Sequence, residues 1–285
     1  MNKTFSAFLA PANLTEIIDI GANPIDGDPP YKKMLAAQLC RVMGFEPQLE
    51  ALEQLNKVKT DLETYLPYVI GTGGRKTLHR CMYSGWTSLF EPDEAALEAF
   101  PAFRNNATVL EKIPVDPRPL DSISEIKNID FLKLDVQGSE LDCLKSGIEK
   151  LSSCVFIQLE ISFVTLYKNQ PGFGEIDLFL RNLGFIPHCF AAIKQWPIAP
   201  LVLNNNPTQP LNQLLEADLV YVKNFIRPSN LTNEQLKQIA LIAHYCFGSF
   251  DLAARCIEIL ELRDVLPKAS VNYYVSMLAQ WAQLA

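Results

Sequence analysis

The sequence predicts an α/β fold built on a mostly parallel sheet, and three observations favour it. The segment from Phe131 to Leu134 is a short, mostly apolar strand that ends at Asp135. Such a continuous apolar run is typical of a parallel strand that is covered on both faces. The first 60 residues alternate strand, helix, strand, helix, which is the pattern of a parallel sheet. Finally, strands predicted at 185–190 and 217–222 have a short connection, which favours an antiparallel pair at one edge.

The other elements follow from hydrophobic periodicity and from turn residues. Residues 1–14 are expected to cover the core. We expect strand 76–82 to pair beside strand 64–70, and prolines 114 and 117 to interrupt strand 107–115. The remaining predicted strands are 16–21, 40–45 and 155–160, and the predicted helices are 31–39, 48–58, 93–99, 139–150 and 175–183.

A change of composition at Arg227-Pro228-Ser229 predicts a domain boundary. We expect a first domain over residues 1–226 and a small helical appendage over residues 227–285. The appendage has helical patterns at 232–246, 250–262 and 270–284. The apolar stripe of its first helix predicts packing on the main domain or a homodimer contact through the C-terminal helices.

Composition excludes several classes of protein. The net charge is −7 and the basic residues are scattered, which argues against nucleic acid as a partner. The seven cysteines form no Cys-x-x-Cys pair, and their odd number fits poorly with a disulfide framework. No apolar run approaches the roughly 18 residues of a membrane span, and the amino terminus lacks a signal-peptide pattern. We therefore expect a cytoplasmic protein.

Three predicted strands end in acids, at Asp19, Glu46 and Asp135. Glu46 lies 27 residues after Asp19, at the end of the second strand, where an acid can accept both hydroxyls of a ribose. Gly21 allows the backbone to approach a ligand closely. The loop after it lacks the G-x-G-x-x-G pattern that cradles a pyrophosphate. S-adenosylmethionine, a nucleoside cofactor without phosphates, therefore fits better than a dinucleotide.

Several blocks of sequence carry a resemblance to a known family. The most specific runs from Leu132 to Glu140 and contains Asp-Val-Gln-Gly-Ser-Glu, and the others are 18–23, 44–47, 85–89, 159–163, 166–167 and 184–185. On these blocks, roughly residues 15–225 resemble the FkbM family of S-adenosylmethionine-dependent methyltransferases.

The resemblance implies a doubly wound, seven-stranded, mostly parallel, Rossmann-like sheet with an antiparallel edge strand. It also implies methyl transfer, usually to a hydroxyl oxygen, on a sugar or another small-molecule or glycan acceptor. Asp135 would lie near the methyl group and the acceptor, and the 84–89 loop, with Ser88, would close the adenine side or the acceptor pocket. The remaining cofactor-binding residues implied are Asp19, Gly21 and Asn23 at the methionine end and Glu46 at the ribose.

A hydroxyl acceptor must lose its proton as the new bond forms, and we expect Asp135 or Glu160 to take it. Two acids at neighbouring strand ends could also hold Mg²⁺, but no third ligand is identifiable, and we expect no metal. Two alternatives stay open. One is a catalytically silent cofactor-binding module that docks a protein partner. The other is a nucleotide-dependent oxidoreductase, against which the missing glycine cradle argues.

Overall fold

The computed structural model describes residues 3–23, 25 and 27–282. It contains nine β-strands: β1 (Thr15–Ile20), β2 (Cys40–Phe45), β3 (Glu63–Leu66), β4 (Lys76–Cys81), β5 (Val109–Val115), β6 (Phe131–Leu134), β7 (Phe156–Ser162), β8 (Phe185–Gln195) and β9 (Leu214–Lys223). The α-helices are α1 (Lys3–Leu9), α2 (Lys32–Ala36), α3 (Leu49–Val58), α4 (Glu94–Ala99), α5 (Glu140–Lys145), α6 (Phe173–Asn182), α7 (Asn233–Phe247), α8 (Phe250–Leu262) and α9 (Ser270–Ala282).

Seven strands form one sheet in the order β3-β2-β1-β6-β7-β9-β8. The first five are parallel, β9 is antiparallel to β7, and β8 is antiparallel to β9. The predicted mostly parallel sheet with an antiparallel pair at one edge is therefore confirmed. Strand order reverses between β1 and β6, and open α/β sheets bind ligands outside the carboxyl ends of the strands at such a point.

The predicted partner of strand 76–82 is wrong. β4 pairs antiparallel with β5 in a separate two-stranded sheet, because the chain leaves the main sheet at Leu66, earlier than predicted. Gly73 and Gly74, both with positive φ, then turn it away. Pro114 does not interrupt β5 but lies within it opposite Thr77, since a two-stranded sheet has only edge strands and an edge tolerates a missing donor.

Alternating side chains give the sheet two hydrophobic cores. Ile17 of β1 belongs to the first core, and Ile18 and Ile20 belong to the second. The first core also takes in buried residues of α1, α2, α7, α8 and α9, so the C-terminal helices complete one face of the sheet. The domain boundary at 226/227 stays a prediction.

The predicted C-terminal helices correspond to α7, α8 and α9. Thr232 caps α7 by accepting a hydrogen bond from the backbone N–H of Gln235, and Gly248 ends the helix in the left-handed conformation. The last two residues of the predicted helix 270–284 lie outside the described residues. In the described part of the chain, no helix is both long and apolar enough to cross a membrane.

Two neighbouring leucines of α8 test whether this helix belongs to the core. Leu260 is fully buried, whereas Leu262 is 70% exposed. We expect Leu260→Ala to lower the free energy of unfolding by about 2–5 kcal/mol, because it leaves a cavity in the first core. Leu262→Ala is the matched control and should change it by about 0.5 kcal/mol or less. Denaturant unfolding measures the free energy of unfolding of both variants. Equal effects would contradict the placement of α8 in the first core.

Candidate functional site

The candidate site lies where the carboxyl ends of β1, β2 and β6 meet. The backbone N–H of Asp135 donates to the carbonyl of Ile20 at 2.9 Å, and that of Gly21 donates to the carbonyl of Phe45 at 2.9 Å. These bonds extend the sheet by one residue past each strand. They bring the turns after β1 and β6 into direct contact.

Gly21 is required at this contact. Its φ is +80°, and a Cβ at this position would lie 1.8 Å from the carbonyl oxygen of Asp135. Any other residue would therefore combine a left-handed backbone with an overlap of atoms. The sequence-based expectation that Gly21 permits a close backbone approach agrees with this geometry.

The turn after β6 is held by its own side chains. Gln137 and Gly138 have φ values of +51° and +97°. The buried Glu140 carboxylate accepts hydrogen bonds from the backbone N–H groups of Val136 and Gly138, each at 3.2 Å. Burial raises the pKa of Glu140 to about 7. These bonds fix the direction in which Asp135 and Gln137 leave the strand.

Three cavities meet at Asp135, and among the described residues it alone lines all three. The first cavity lies between the ends of β1 and β2 and the 84–89 loop, and its lining includes Gly21, Asn23, Glu46, Ser88 and Gln137. The second lies on the face covered by α7, with Asp19, Tyr31, Lys133 and Gln158. The third has a volume of about 370 Å³ and is lined by Trp86, Glu160, Lys194, Trp196 and Glu216, among others.

Glu46 presents a buried carboxylate to the first cavity, with only 2% of the residue exposed. One oxygen accepts a hydrogen bond from the backbone N–H of Gln48 at 2.7 Å. Burial raises the pKa of Glu46 to about 7, and the hydrogen bonds from Gln48 oppose that rise. A carboxylate in the wall of the cavity suits a ligand that donates hydrogen bonds, as a ribose does.

Asp19 does not line the first cavity with Glu46. Its side chain faces the second cavity, where it accepts hydrogen bonds from the Tyr31 hydroxyl at 2.6 Å and from Lys133 Nζ at 3.2 Å. Burial raises the pKa of Asp19, and Lys133 opposes that rise. Asn23 lines both cavities, and its amide donates to the Ser84 hydroxyl at 3.4 Å.

Ser88 lies in the wall of the first cavity and ties two loops together. Its hydroxyl donates to the carbonyl of Gln137 at 2.5 Å and accepts from the backbone N–H of Phe90 at 3.0 Å. The hydroxyl is thus used within the protein, and it anchors the 84–89 loop to the turn after β6. A cofactor contact by Ser88 stays a prediction.

The third cavity combines an aromatic wall with a charged one. The rings of Trp86, Phe103 and Trp196 follow one another with centroids 5.1 and 4.5 Å apart. The indole N–H of Trp196 is buried without a hydrogen-bond partner in the described residues. The opposite wall carries acids on β7 and β9.

Glu160 is the central acid of that wall. It receives hydrogen bonds from Lys194 Nζ at 2.5 Å and from Gln137 Nε2 at 3.3 Å. Burial, and then the neighbouring Glu216, raise its pKa well above the ordinary value, while Lys194 acts in the opposite direction. The two predicted catalytic residues, Asp135 and Glu160, therefore share this cavity and are bridged by Gln137.

The sequence-based reasoning missed several lining residues of the third cavity. Lys194 and Trp196 lie at and just after the end of β8, which extends five residues beyond its predicted end. Glu216 and Asp218 alternate along β9 and are register partners of Ser162 and Glu160. The antiparallel pairing was predicted, and counting residues along it is the signal that could have found these two acids. No group of three or more His, Cys, Asp or Glu with the geometry of a metal site occurs among the described residues.

Gly27 and Gly21 have similar positive φ values but different surroundings. Comparing them distinguishes the cost of a left-handed backbone from the cost of atomic overlap. Gly27 has a φ of +88°, but a Cβ there would meet nothing within 4 Å. We expect Gly27→Ala to lower the free energy of unfolding by about 1–2 kcal/mol, the cost of a left-handed backbone. Gly21→Ala should cost about 3 kcal/mol or more, because overlap with Asp135 adds to that cost. Thermal or denaturant unfolding measures both, and equal losses would contradict the close contact.

Comparison with solved structures finds distant similarity to methyltransferases. One is magnesium protoporphyrin IX methyltransferase from Synechocystis PCC 6803 with bound S-adenosylmethionine, with a TM-score of 0.38 and 11% identity over 78% of this chain and 77% of that chain. Another is a putative methyltransferase from Thermoplasma acidophilum, with a TM-score of 0.34 and 10% identity over 74% and 70% of the two chains.

A comparison with curated proteins found no match. The family model described as the methyltransferase FkbM domain matches residues 19–187, which is more than half of the chain. The matched segment begins at Asp19 and contains Glu46, Asp135 and Glu160, the acids around which the site is built. The chain belongs to the FkbM methyltransferase family.

Proposed function

We propose that this protein is an S-adenosylmethionine-dependent O-methyltransferase that acts on a hydroxyl of a sugar or another small-molecule or glycan acceptor. The observation that carries the proposal is the meeting of the first and third cavities at Asp135. A methyltransferase must hold a cofactor and an acceptor so that their reacting atoms face each other. Two adjoining cavities with one shared carboxylate meet this requirement.

The residues around the first cavity fit the cofactor. Glu46, whose carboxylate lines the cavity, binds the ribose hydroxyls, and the close turn at Gly21 admits the methionine end beside Asn23. Apolar side chains of Phe45 and Leu78 also line this cavity and suit a flat adenine ring. Asp19 acts indirectly, because its hydrogen bonds with Tyr31 and Lys133 hold the end of β1 in place.

When bound, S-adenosylmethionine supplies a methyl group on a positively charged sulfur, and the acceptor oxygen bonds to that carbon as the carbon–sulfur bond breaks and its electron pair stays on sulfur. Asp135 binds the acceptor hydroxyl at the junction of the cavities and keeps it in line. Glu160 receives the hydroxyl proton. Its position suits this role, because its carboxylate lines the third cavity together with Asp135.

The third cavity favours an acceptor with both apolar faces and hydroxyl groups. The wall formed by Trp86, Phe103 and Trp196 offers flat apolar surface. The opposite wall offers carboxylate oxygens, which accept hydrogen bonds from hydroxyl groups. A sugar ring has this combination, with C–H groups on its faces and hydroxyls at its rim.

The silent-module alternative predicts an acceptor cleft plugged by side chains around Asp135. A cavity of about 370 Å³ opens beside that residue instead, and this supports the enzyme. The missing glycine cradle still argues against an oxidoreductase. Cytoplasmic location and a homodimer through the C-terminal helices stay predictions.

The cofactor assignment is tested by calorimetric titration with S-adenosylhomocysteine. We expect Glu46→Ala to weaken binding about 10- to 100-fold, because hydrogen bonds to a charged group are worth about 1.5–3 kcal/mol. Glu53→Ala, an exposed glutamate on α3, is the matched control and should bind as the unaltered protein does. Failure of the unaltered protein to bind would contradict the proposal.

The same titration has an expected pH dependence. Burial raises the pKa of Glu46 to about 7, so its carboxylate is protonated as the pH falls through 7 and loses acceptor capacity. Affinity for S-adenosylhomocysteine should therefore rise between about pH 6 and pH 8. A glutamine at position 46 cannot titrate, so Glu46→Gln should abolish this rise in affinity. An unchanged pH profile of affinity in that variant would rule out Glu46 as the titrating group.

A test of the catalytic roles requires an acceptor substrate. It can be found by screening hydroxylated sugars and glycans for compounds that cause S-adenosylhomocysteine to form. Glu160→Gln should lower the transfer rate about 10²- to 10⁴-fold, the usual contribution of a general base, with cofactor binding retained. Asp135→Asn should lower it as well, through lost alignment. Asp177→Asn, which alters an acid on α6 paired with Arg181, is the control. Full activity in Glu160→Gln would refute its role as the base.

A further inference from the structure

We propose that Gln137 is a positioning residue that holds the carboxylates of Asp135 and Glu160 at the junction of the first and third cavities. The inference rests on the proposed function, because it assigns a role within the same site. Gln137 lines both cavities, and its side chain lies between the two acids.

The backbone of Gln137 is fixed in an uncommon conformation. Its φ of +51° lies in the left-handed region, which residues other than glycine seldom adopt. The hydroxyl of Ser88 donates to its carbonyl at 2.5 Å, and Gly138 after it has a φ of +97°. Such conformations persist where the surroundings determine them, and they cluster at functional sites.

The amide group of Gln137 has one orientation that satisfies its neighbours. Its Oε1 accepts a hydrogen bond from the Tyr167 hydroxyl at 3.4 Å. Its Nε2 donates to Asp135 Oδ1 at 2.8 Å and to Glu160 Oε2 at 3.3 Å. A primary amide has two N–H donors, so it can donate to both acids at the same time. The reversed amide would turn its oxygen toward two carboxylates.

The charges around the two acids explain why a neutral donor suits this position. Lys194 from β8 binds Glu160 Oε1 and also lies 3.7 Å from Glu216 Oε2. Glu216 and Asp218 from β9 line the same cavity, so acids outnumber bases there. Gln137 adds two donors without adding another titrating group. Glu160 is thereby held at one oxygen by Lys194 and at the other by Gln137.

The test follows the carboxyl groups directly by ¹³C nuclear magnetic resonance of the full chain, labelled at Asp and Glu carboxyls. The Glu160 signal is assigned by its loss in Glu160→Gln. Hydrogen bonds to the charged form lower a carboxyl pKa, so Gln137→Met should raise the titration midpoint of Glu160 by about half to one pH unit. An unchanged midpoint in folded Gln137→Met would overturn the proposal.

A matched control and a second variant make the result specific. Gln158 lies on β7 two residues before Glu160 and is buried, and among the described residues it makes no hydrogen bond to Glu160, so Gln158→Met should leave the Glu160 midpoint unchanged. If Gln137→Met fails to fold, Gln137→Glu keeps the shape and replaces donors by another acid, which should raise the Glu160 midpoint. An unchanged midpoint there would also overturn the proposal. Calorimetry with S-adenosylhomocysteine on the unaltered protein tests the proposed function separately, because the titrations need no cofactor.

Discussion

The main-chain contact between Gly21 and Asp135 is the constraint on which the site depends. Parallel pairing of β1 with β2 and β6 brings their carboxyl ends to one edge, and the absent Cβ at Gly21 lets the first turn touch the carbonyl of Asp135. Glu46 is held one strand away at the same edge. A larger residue at 21 would separate these turns and change all three cavities that meet at Asp135.

Two lysine–acid pairs stabilise the buried charges on either side of this contact. Lys133 pairs with Asp19 at the second cavity, and Lys194 pairs with Glu160 at the third. Burial disfavours each carboxylate, and the adjacent ammonium group partly offsets that cost. No lysine is among the described residues that line the first cavity, where the buried Glu46 carboxylate accepts a hydrogen bond from the backbone N–H of Gln48. This acid lies where we propose that the ribose binds.

Local patterns predicted the strands that carry Asp19, Glu46 and Asp135, because each is an apolar run whose register is set by a buried face. They did not predict the partner of β4, which depends on where the chain leaves the main sheet. Lys194 and Trp196 were missed because β8 has three irregularities in its pairing with β9, and these break the alternation that marks a strand. The apolar stripe of α7 indicated either packing on the main domain or a homodimer contact. Its place in the first core depends on packing across more than 200 residues of chain, which a local pattern does not reveal.

The most direct test of the account is a crystal structure of the protein with S-adenosylhomocysteine. We expect the ribose hydroxyls within hydrogen-bond distance of Glu46, the methionine end beside Gly21 and Asn23, and the sulfur facing the third cavity next to Asp135. A ligand in the second cavity alone, or one whose sulfur faces away from Asp135 and Glu160, would contradict the account.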